Sequence, residues 1–265
     1  MDYICSPSTG NTGMSSLVRW PLRVLFTAYA LAWFLALMVL VAPFVFLAAA
    51  FGRVPGGNLI NRILRLWSSA WFFGVGIRHR NIYRFRPDPR SRYIFVLNHI
   101  SYIDVAIAVD AIRQPFRALG KMEVKSIPLL GWIYRVFVIM VDRGDPADRA
   151  RSLADMRGFL DRGISILIFP EGTFNETGGP LKPFYDGAFR IAIETGTPLV
   201  PVVLLDPWER MHHRHLFSLT PGPSRAVFLE PFGVEGLTLQ DMPVLKERVY
   251  RAMERCLLDK ASIPA

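Results

Sequence analysis

The sequence predicts an α/β fold, a mixed and largely parallel sheet flanked by helices, entered through an N-terminal two-helix hairpin. Three observations predict it. From residue 80 onward, short apolar runs alternate with helical segments, the pattern of βαβ units. Two of those runs, Tyr93 to Leu97 and Ile164 to Ile168, end directly in polar, chemically capable residues, as strands bordering an α/β crevice do. Ahead of them, Val24 to Phe51 passes 28 residues without an Asp, Glu, Lys or Arg.

Taken in order, residues 1–18 are polar and rich in Ser, Thr and Gly, and are expected to be disordered. A first helix is predicted over residues 20–51. Its uncharged stretch would reach roughly 42 Å as a helix, more than a ~30 Å hydrocarbon core. Pro43 inside it allows a kink, or a dip into one leaflet and back. A secretory signal is the competing reading, but the apolar stretch is too long and Ala48-Ala49-Ala50 is the only hint of a cleavage site, so a retained membrane anchor is expected.

Gly52 to Asn58, with Pro55-Gly56-Gly57, reads as a turn. Leu59 to Ile77 reads as a second helix, with Arg62 and Arg65 on one side and Trp67, Trp71, Phe72 and Phe73 dominating the rest. Trp favours the headgroup boundary, which predicts a helix that lies in or dips through the interface rather than spanning it. The expected organisation is therefore a disordered 1–18, a membrane-associated hairpin 19–79, and an α/β domain 80–265.

Within that domain, strands are predicted at Ile82–Phe85, Tyr93–Leu97, Phe116–Leu119, Phe137–Val141, Ile164–Ile168, Leu199–Leu205 and Ala226–Phe228. Helices are predicted at Ile103–Ile112, Leu129–Arg135, Pro146–Asp161, Gly187–Glu194 and Asp241–Leu258. Pro87-Asp88-Pro89 and Pro221-Gly222-Pro223 read as loops.

A chain of 265 residues is long enough for one sizeable core. The formal net charge is +9, and Arg19, Arg23, Arg53, Arg62, Arg65, Arg78, Arg80, Arg84 and Arg86 flank the apolar segments. Basic residues beside an apolar segment favour anionic lipid headgroups and cytoplasmic placement. Nucleic acid is the other usual partner of a basic protein, but zinc-finger spacing, a recognition-helix pattern and a single-strand-binding aromatic signature are all missing, so lipid is expected and nucleic acid is not. Cys5 and Cys256 make neither a metal spacing nor a disulfide framework. His212, His213 and His215, interleaved with Arg210 and Arg214, read as a polar loop, and no metal site is expected.

Two segments carry chemistry. Asn98-His99-Ile100-Ser101-Tyr102-Ile103-Asp104 places an imidazole and a carboxylate with four residues between them at a strand-to-helix connection. Such a gap can fold back so that the carboxylate accepts from one ring nitrogen while the other is free to take a proton from a hydroxyl. The alternative is that Asn98 or Ser101 caps the following helix and His99 simply packs at the strand end. In Phe169-Pro170-Glu171-Gly172-Thr173, Pro170 ends the strand and Gly172 permits a tight turn and a close backbone approach to a ligand. Glu171 is placed to orient a substrate hydroxyl or bind a cation, or else is a solvated turn residue.

Between these segments lie Gly120-Lys121-Met122-Glu123, Pro128, Gly131-Trp132 and Ile139-Met140-Val141-Asp142-Arg143, and beyond them Val200-Pro201-Val202-Val203. In this order and spacing the blocks resemble the glycerophospholipid acyltransferases of the bacterial 1-acylglycerol-3-phosphate type, over roughly residues 90–205. Residues 20–80 look like the membrane-docking helices such enzymes carry. The resemblance implies that His99 is a general base oriented by Asp104, and that Lys121 and Arg143 bind acceptor phosphate beside Glu171, Gly172 and Thr173. The family usually has a basic residue straight after the Thr; here it is Phe174, which leaves Lys182, Arg190 or Arg143 to supply the charge, or an acceptor that is not a simple phosphomonoester.

The expected activity is transfer of a fatty acyl group from acyl-CoA or acyl carrier protein, used as substrate and not as cofactor, to a lysophospholipid hydroxyl. Lysophosphatidic acid is the first-choice acceptor and phosphatidic acid the product. The alternatives are another lysolipid acceptor, a non-catalytic lipid-binding scaffold and, more remotely, a lipid esterase. Transfer would be direct, since there is neither a G-x-S-x-G elbow nor an acyl-accepting Cys near either segment. The expected location is the cytoplasmic side of a membrane, the inner membrane if the source is bacterial.

Overall fold

The computed structural model describes residues 16–121, 134, 136–142, 144–212, 214 and 217–264. Helix α1 (Ser16–Ala49) begins inside the stretch expected to be disordered; residues 1–15 lie outside the described residues. A tight π-type turn, Gly52–Gly56, joins it to α2 (Gly57–Gly74). The two helices pack against each other, and their seam is aromatic. Phe34 meets the rings of Trp67 and Trp71 edge-on at 4.8 and 5.5 Å.

Two of the three indoles on that seam find a carbonyl on the opposite helix. Trp71 Nε1 donates to Ala30 O at 3.0 Å and Trp33 Nε1 to Ala70 O at 3.3 Å. Trp67 and Trp71 are therefore buried between helices, whereas their sequence positions suggested a headgroup boundary. The outward face belongs to Phe73, which is 89% exposed, and to the apolar outer face of α1.

The chain then enters a seven-stranded sheet: β1 (Ile77–Tyr83), β2 (Ile94–Leu97), β3 (Phe116–Lys121), β4 (Val138–Val141), β5 (Ser165–Ile168), β6 (Leu199–Leu204) and β7 (Gly222–Phe228). Strand order is β1-β7-β6-β2-β5-β3-β4. Five strands from β6 to β4 run parallel; β7 is antiparallel to β6, and β1 is parallel to β7, which makes the sheet mixed. Strands β2, β5 and β6 are buried along their whole length, as strands covered on both faces must be.

Alternate residues feed two cores. Phe95, Leu97, Leu167 and Val202 face the side covered by α2 and α3 (Asp104–Ala111). Ile94, Val96, Ile166, Ile168 and Val203 face the side covered by α4 (Pro146–Leu160), α5 (Gly187–Thr195) and α7 (Met242–Leu258). A short α6 (Pro207–Arg210) follows β6. Local sequence starts α4 well: Asp145 caps it by accepting from Ala147 N at 2.9 Å, and Pro146 sits in its first turn, where no N–H is needed. Most of the helix expected at Leu129–Arg135 lies outside the described residues.

One buried arginine ties hairpin to sheet. Arg117, fully buried in β3, donates to Arg53 O at 2.7 Å and Val54 O at 3.1 Å in the turn between α1 and α2, and to Asn58 Oδ1 at 3.1 Å in the first turn of α2. Its guanidinium lies over the Phe159 ring of α4 at 5.2 Å. Burial, aided by the neighbouring Arg53 charge, pulls it down to about 10. It still carries its charge at neutral pH, held by carbonyl oxygens.

Candidate active site

Beyond the carboxyl end of β2 the chain turns to one face of the sheet to build α3; beyond the end of β5 it heads for α5 on the other face. Neighbouring parallel strands whose connections part in opposite directions leave a crevice between them. His99 emerges from β2 and Glu171 from β5, which pair directly. Asn98 fixes the exit from β2: its amide donates to Leu204 O at 3.0 Å and accepts from Leu204 N at 2.8 Å, clamping β2 to β6.

His99 Nδ1 lies 2.9 Å from Asp104 Oδ2. That same oxygen accepts from Ile100 N at 2.6 Å and Ser101 N at 2.8 Å, so the carboxylate organises the whole loop it faces. Asp104 is completely buried, while the His99 side chain retains 18% exposure. With Nδ1–H donating to the carboxylate, Nε2 is left as the lone-pair nitrogen. Asn98 is spent on β6, while Ser101 does serve the start of α3: its Oγ donates to Met211 O and accepts from Ile103 N at 3.4 Å, and its carbonyl accepts from Asp104 N at 3.2 Å.

Glu171 reaches under this loop. Its Oε1 accepts from His99 N at 2.9 Å and its Oε2 from Lys182 N at 2.8 Å, and the side chain is fully buried. Burial raises it to about 7; the two backbone hydrogen bonds pull the other way, the Asp104 charge adds to the rise and the Lys182 charge opposes it. Gly172 takes φ +75° and closes a turn with its N–H on Phe169 O at 3.0 Å, a conformation that favours Gly. Thr173 Oγ1 accepts from Lys182 Nζ at 2.7 Å. Asn175 N donates to His99 O at 2.8 Å, completing the strap across the two loops.

His99, Asp104, Glu171, Gly172 and Thr173 thus come together from two loops about seventy residues apart in sequence. Lys121 ends β3 at the same edge of the sheet, with β5 between it and β2, or about 10 Å across two strand spacings. Arg143 lies outside the described residues. Sequence reasoning missed the aromatic wall. Phe169 stacks on the His99 ring at 4.2 Å, Phe174 meets it at 4.5 Å, and Tyr102 packs edge-on against Phe174 at 4.9 Å. Aromatic residues flanking both segments were the available signal, yet only the crossing of the two loops sets them around one imidazole.

A buried carboxylate and a partly exposed imidazole with one nitrogen anchored form a unit that can take a proton from a hydroxyl and return it. The comparisons with known proteins fall on this region. A family model described as Acyltransferase matches residues 77–205, from the start of β1 to just past β6. The 1-acyl-sn-glycerol-3-phosphate acyltransferase alpha of Homo sapiens is 29% identical over 230 residues, covering 85% of this chain and 78% of that protein. The chloroplastic 1-acyl-sn-glycerol-3-phosphate acyltransferase BAT2 of Brassica napus is 28% identical over 198 residues, covering 74% of this chain and 56% of that protein.

In fold, the chain matches the crystal structure of the 1-acyl-sn-glycerophosphate (LPA) acyltransferase PlsC from Thermotoga maritima. The TM-score is 0.72 at 19% identity, with 94% of this chain and 99% of that one covered. The sheet, the crevice with its His–Asp pair and these likenesses agree: over residues 77–205 the chain is similar to the Acyltransferase family, and over most of its length to 1-acyl-sn-glycerol-3-phosphate acyltransferases.

Proposed function

We propose that this protein transfers a fatty acyl group from a thioester donor, acyl-CoA or acyl carrier protein, to the free hydroxyl of lysophosphatidic acid, giving phosphatidic acid. The observation that carries the reading is the 2.9 Å contact between His99 and the buried Asp104, made at the carboxyl end of β2 with the His99 side chain still partly exposed. The names of the relatives support the acceptor.

In this mechanism His99 Nε2 takes the proton of the acceptor hydroxyl as its oxygen attacks the thioester carbonyl. The new C–O ester bond forms, the C–S bond breaks, and the proton passes from Nε2 to the departing sulfur as a thiol. Asp104 holds the tautomer and stabilises the transient imidazolium. Glu171 acts through the backbone, fixing the His99 N–H. Base assistance of this kind contributes on the order of 10²- to 10⁴-fold.

The hairpin would hold the crevice at a membrane surface on the cytoplasmic side, where its arginines face anionic headgroups. The test is purified protein with a labelled acyl donor and a panel of lysolipids. His99→Ala should lower transfer by 10²-fold or more with folding and membrane binding retained. Unchanged transfer in that variant would refute the role of His99, and no product from lysophosphatidic acid would refute the acceptor. Phe174 favours a second reading, the same transfer onto another lysolipid, because a phenyl ring stands where the family has a cation.

A further inference from the structure

An acceptor phosphate brought beside His99 needs a positive charge within reach, and the residue after Thr173 does not offer one. The Phe174 ring is built into the wall between His99 and Tyr102. Of the three cations that the sequence leaves as replacements, Arg143 lies outside the described residues. Arg190 is engaged on α5, with Nε 2.7 Å from Glu194 Oε1. Lys246, another cation on that side of the sheet, is paired with Asp186 at 2.6 Å.

Lys182 is different. Its ammonium donates to Thr173 Oγ1 at 2.7 Å, and among the described residues it makes no salt bridge. Glu171, the carboxyl on which its charge bears, has both oxygens turned to backbone N–H groups. One of those N–H groups is His99's and the other is Lys182's own. The two backbone nitrogens are therefore no more than about 8 Å apart, two hydrogen bonds plus the width of one carboxylate. A lysine ammonium carries three N–H donors, and a hydroxyl occupies one.

We infer that Lys182, seated on Thr173, is the cation that binds the phosphate of the acceptor in this chain. The inference rests on the acyltransferase reading of the site and names the residue that recognises its lipid substrate class. It has a consequence for specificity. An ammonium is a point charge on a flexible stem, whereas a guanidinium presents a planar fork that matches two phosphate oxygens at once. Recognition through Lys182 separates phosphomonoester from phosphodiester lysolipids less sharply than a fork after Thr173 would.

The test separates binding from turnover. The full chain in detergent micelles is titrated, without acyl donor, with 1-acylglycerol 3-phosphate and with the 1-monoacylglycerol of the same chain length. The wild type is expected to prefer the phosphate-bearing lipid by about tenfold or more, the scale of one hydrogen bond to a charged group. Lys182→Ala should erase that preference and Lys182→Arg should keep it. The alanine variant keeps the backbone N–H that Glu171 accepts, so the loop retains its anchor.

In parallel, Lys182→Ala should raise the acceptor KM about tenfold while the donor KM stays within twofold. A phosphate preference that survives Lys182→Ala, or a donor KM that rises as much as the acceptor KM, overturns the assignment. If the wild type shows the Lys182-dependent preference yet transfers no acyl group, the activity is wrong and the phosphate site stands.

Discussion

Glu171 is a fully buried carboxyl with two backbone donors on its oxygens and a value near 7 against 4.5 for the free group. Folding raises its affinity for a proton. Between pH 4.5 and about 7 the native chain holds that proton and the unfolded chain does not. Its contribution to stability is thus full below 4.5 and is lost as pH rises to about 7, a difference on the order of 3 kcal/mol. Urea denaturation midpoints should fall from pH 5 to 7 and flatten above 8. Glu171→Gln should remove this share of the slope while costing about 1–3 kcal/mol, because one backbone N–H then meets an amide NH₂. Parallel wild-type and variant curves across that range would contradict the assignment.

The chemistry of this scale was half visible in the sequence. An imidazole and a carboxylate with four residues between them can meet within one loop, so the His99–Asp104 pair is written locally. The partnership of Glu171 with the His99 backbone, the Asn98 clamp on β6 and the seat of Lys182 on Thr173 each join residues that only the sheet order brings together. No local pattern encodes them.

At the scale of elements, the connection between hairpin and sheet depends on Arg117 and on the absence of a side chain at Gly57. A Cβ on Gly57 would come within 2.2 Å of the Arg117 Nη2. Gly57→Ala should therefore destabilise by about 1–3 kcal/mol, although Ala is the better helix former. Arg117→Met should also destabilise, by roughly 2–3 kcal/mol, since it strands the carbonyls of Arg53 and Val54. The two costs should not add: with methionine at 117 the alanine at 57 has room. A double-mutant cycle by thermal or urea unfolding measures this, and strict additivity would count against the contact.

The same scale shows where element boundaries escaped the sequence. The first strand was expected at Ile82–Phe85 but begins at Ile77, because β1 is an edge strand paired only with β7, and Arg78 and Arg80 break its apolar pattern. The last strand was expected at Ala226 but begins at Gly222, with Pro223 inside it. Over residues 222–224 it pairs with β1 alone, since bonding on the β6 side starts where Arg225 O accepts from Leu205 N at 3.0 Å, and a proline is tolerated there. Central strands were legible because burial on both faces makes them continuous apolar runs.

For the whole molecule, the dominant feature is the bare outer face of α1, where Leu25, Leu35, Val39, Leu40 and Phe44 are each more than half exposed. Patches of that extent mark a surface that meets something apolar, and Trp20–Ala49 is long and apolar enough to cross a bilayer. Replacing Val39 and Leu40 with Lys should leave the α1–α2 seam intact, because neither side chain enters it. Membrane affinity should fall by 100-fold or more, at about 2.5–3.5 kcal/mol for each charge placed in the hydrocarbon. Flotation with vesicles, paired with circular dichroism of the detergent-solubilised protein, reads the two effects separately; unchanged flotation would remove this face from the lipid contact.

Helix α2 does more than fill the seam. Its Ser68 Oγ donates to Ala106 O at 2.8 Å, and its Ser69 Oγ donates to Asp110 Oδ1, so it is bolted to α3, the helix that begins with Asp104. Hairpin and His99 loop are in this way one mechanical part. On the proposed reading, the depth at which the hairpin sits in a bilayer would set the height of the imidazole above the acyl chains, and bilayer thickness would become a variable of the reaction rate.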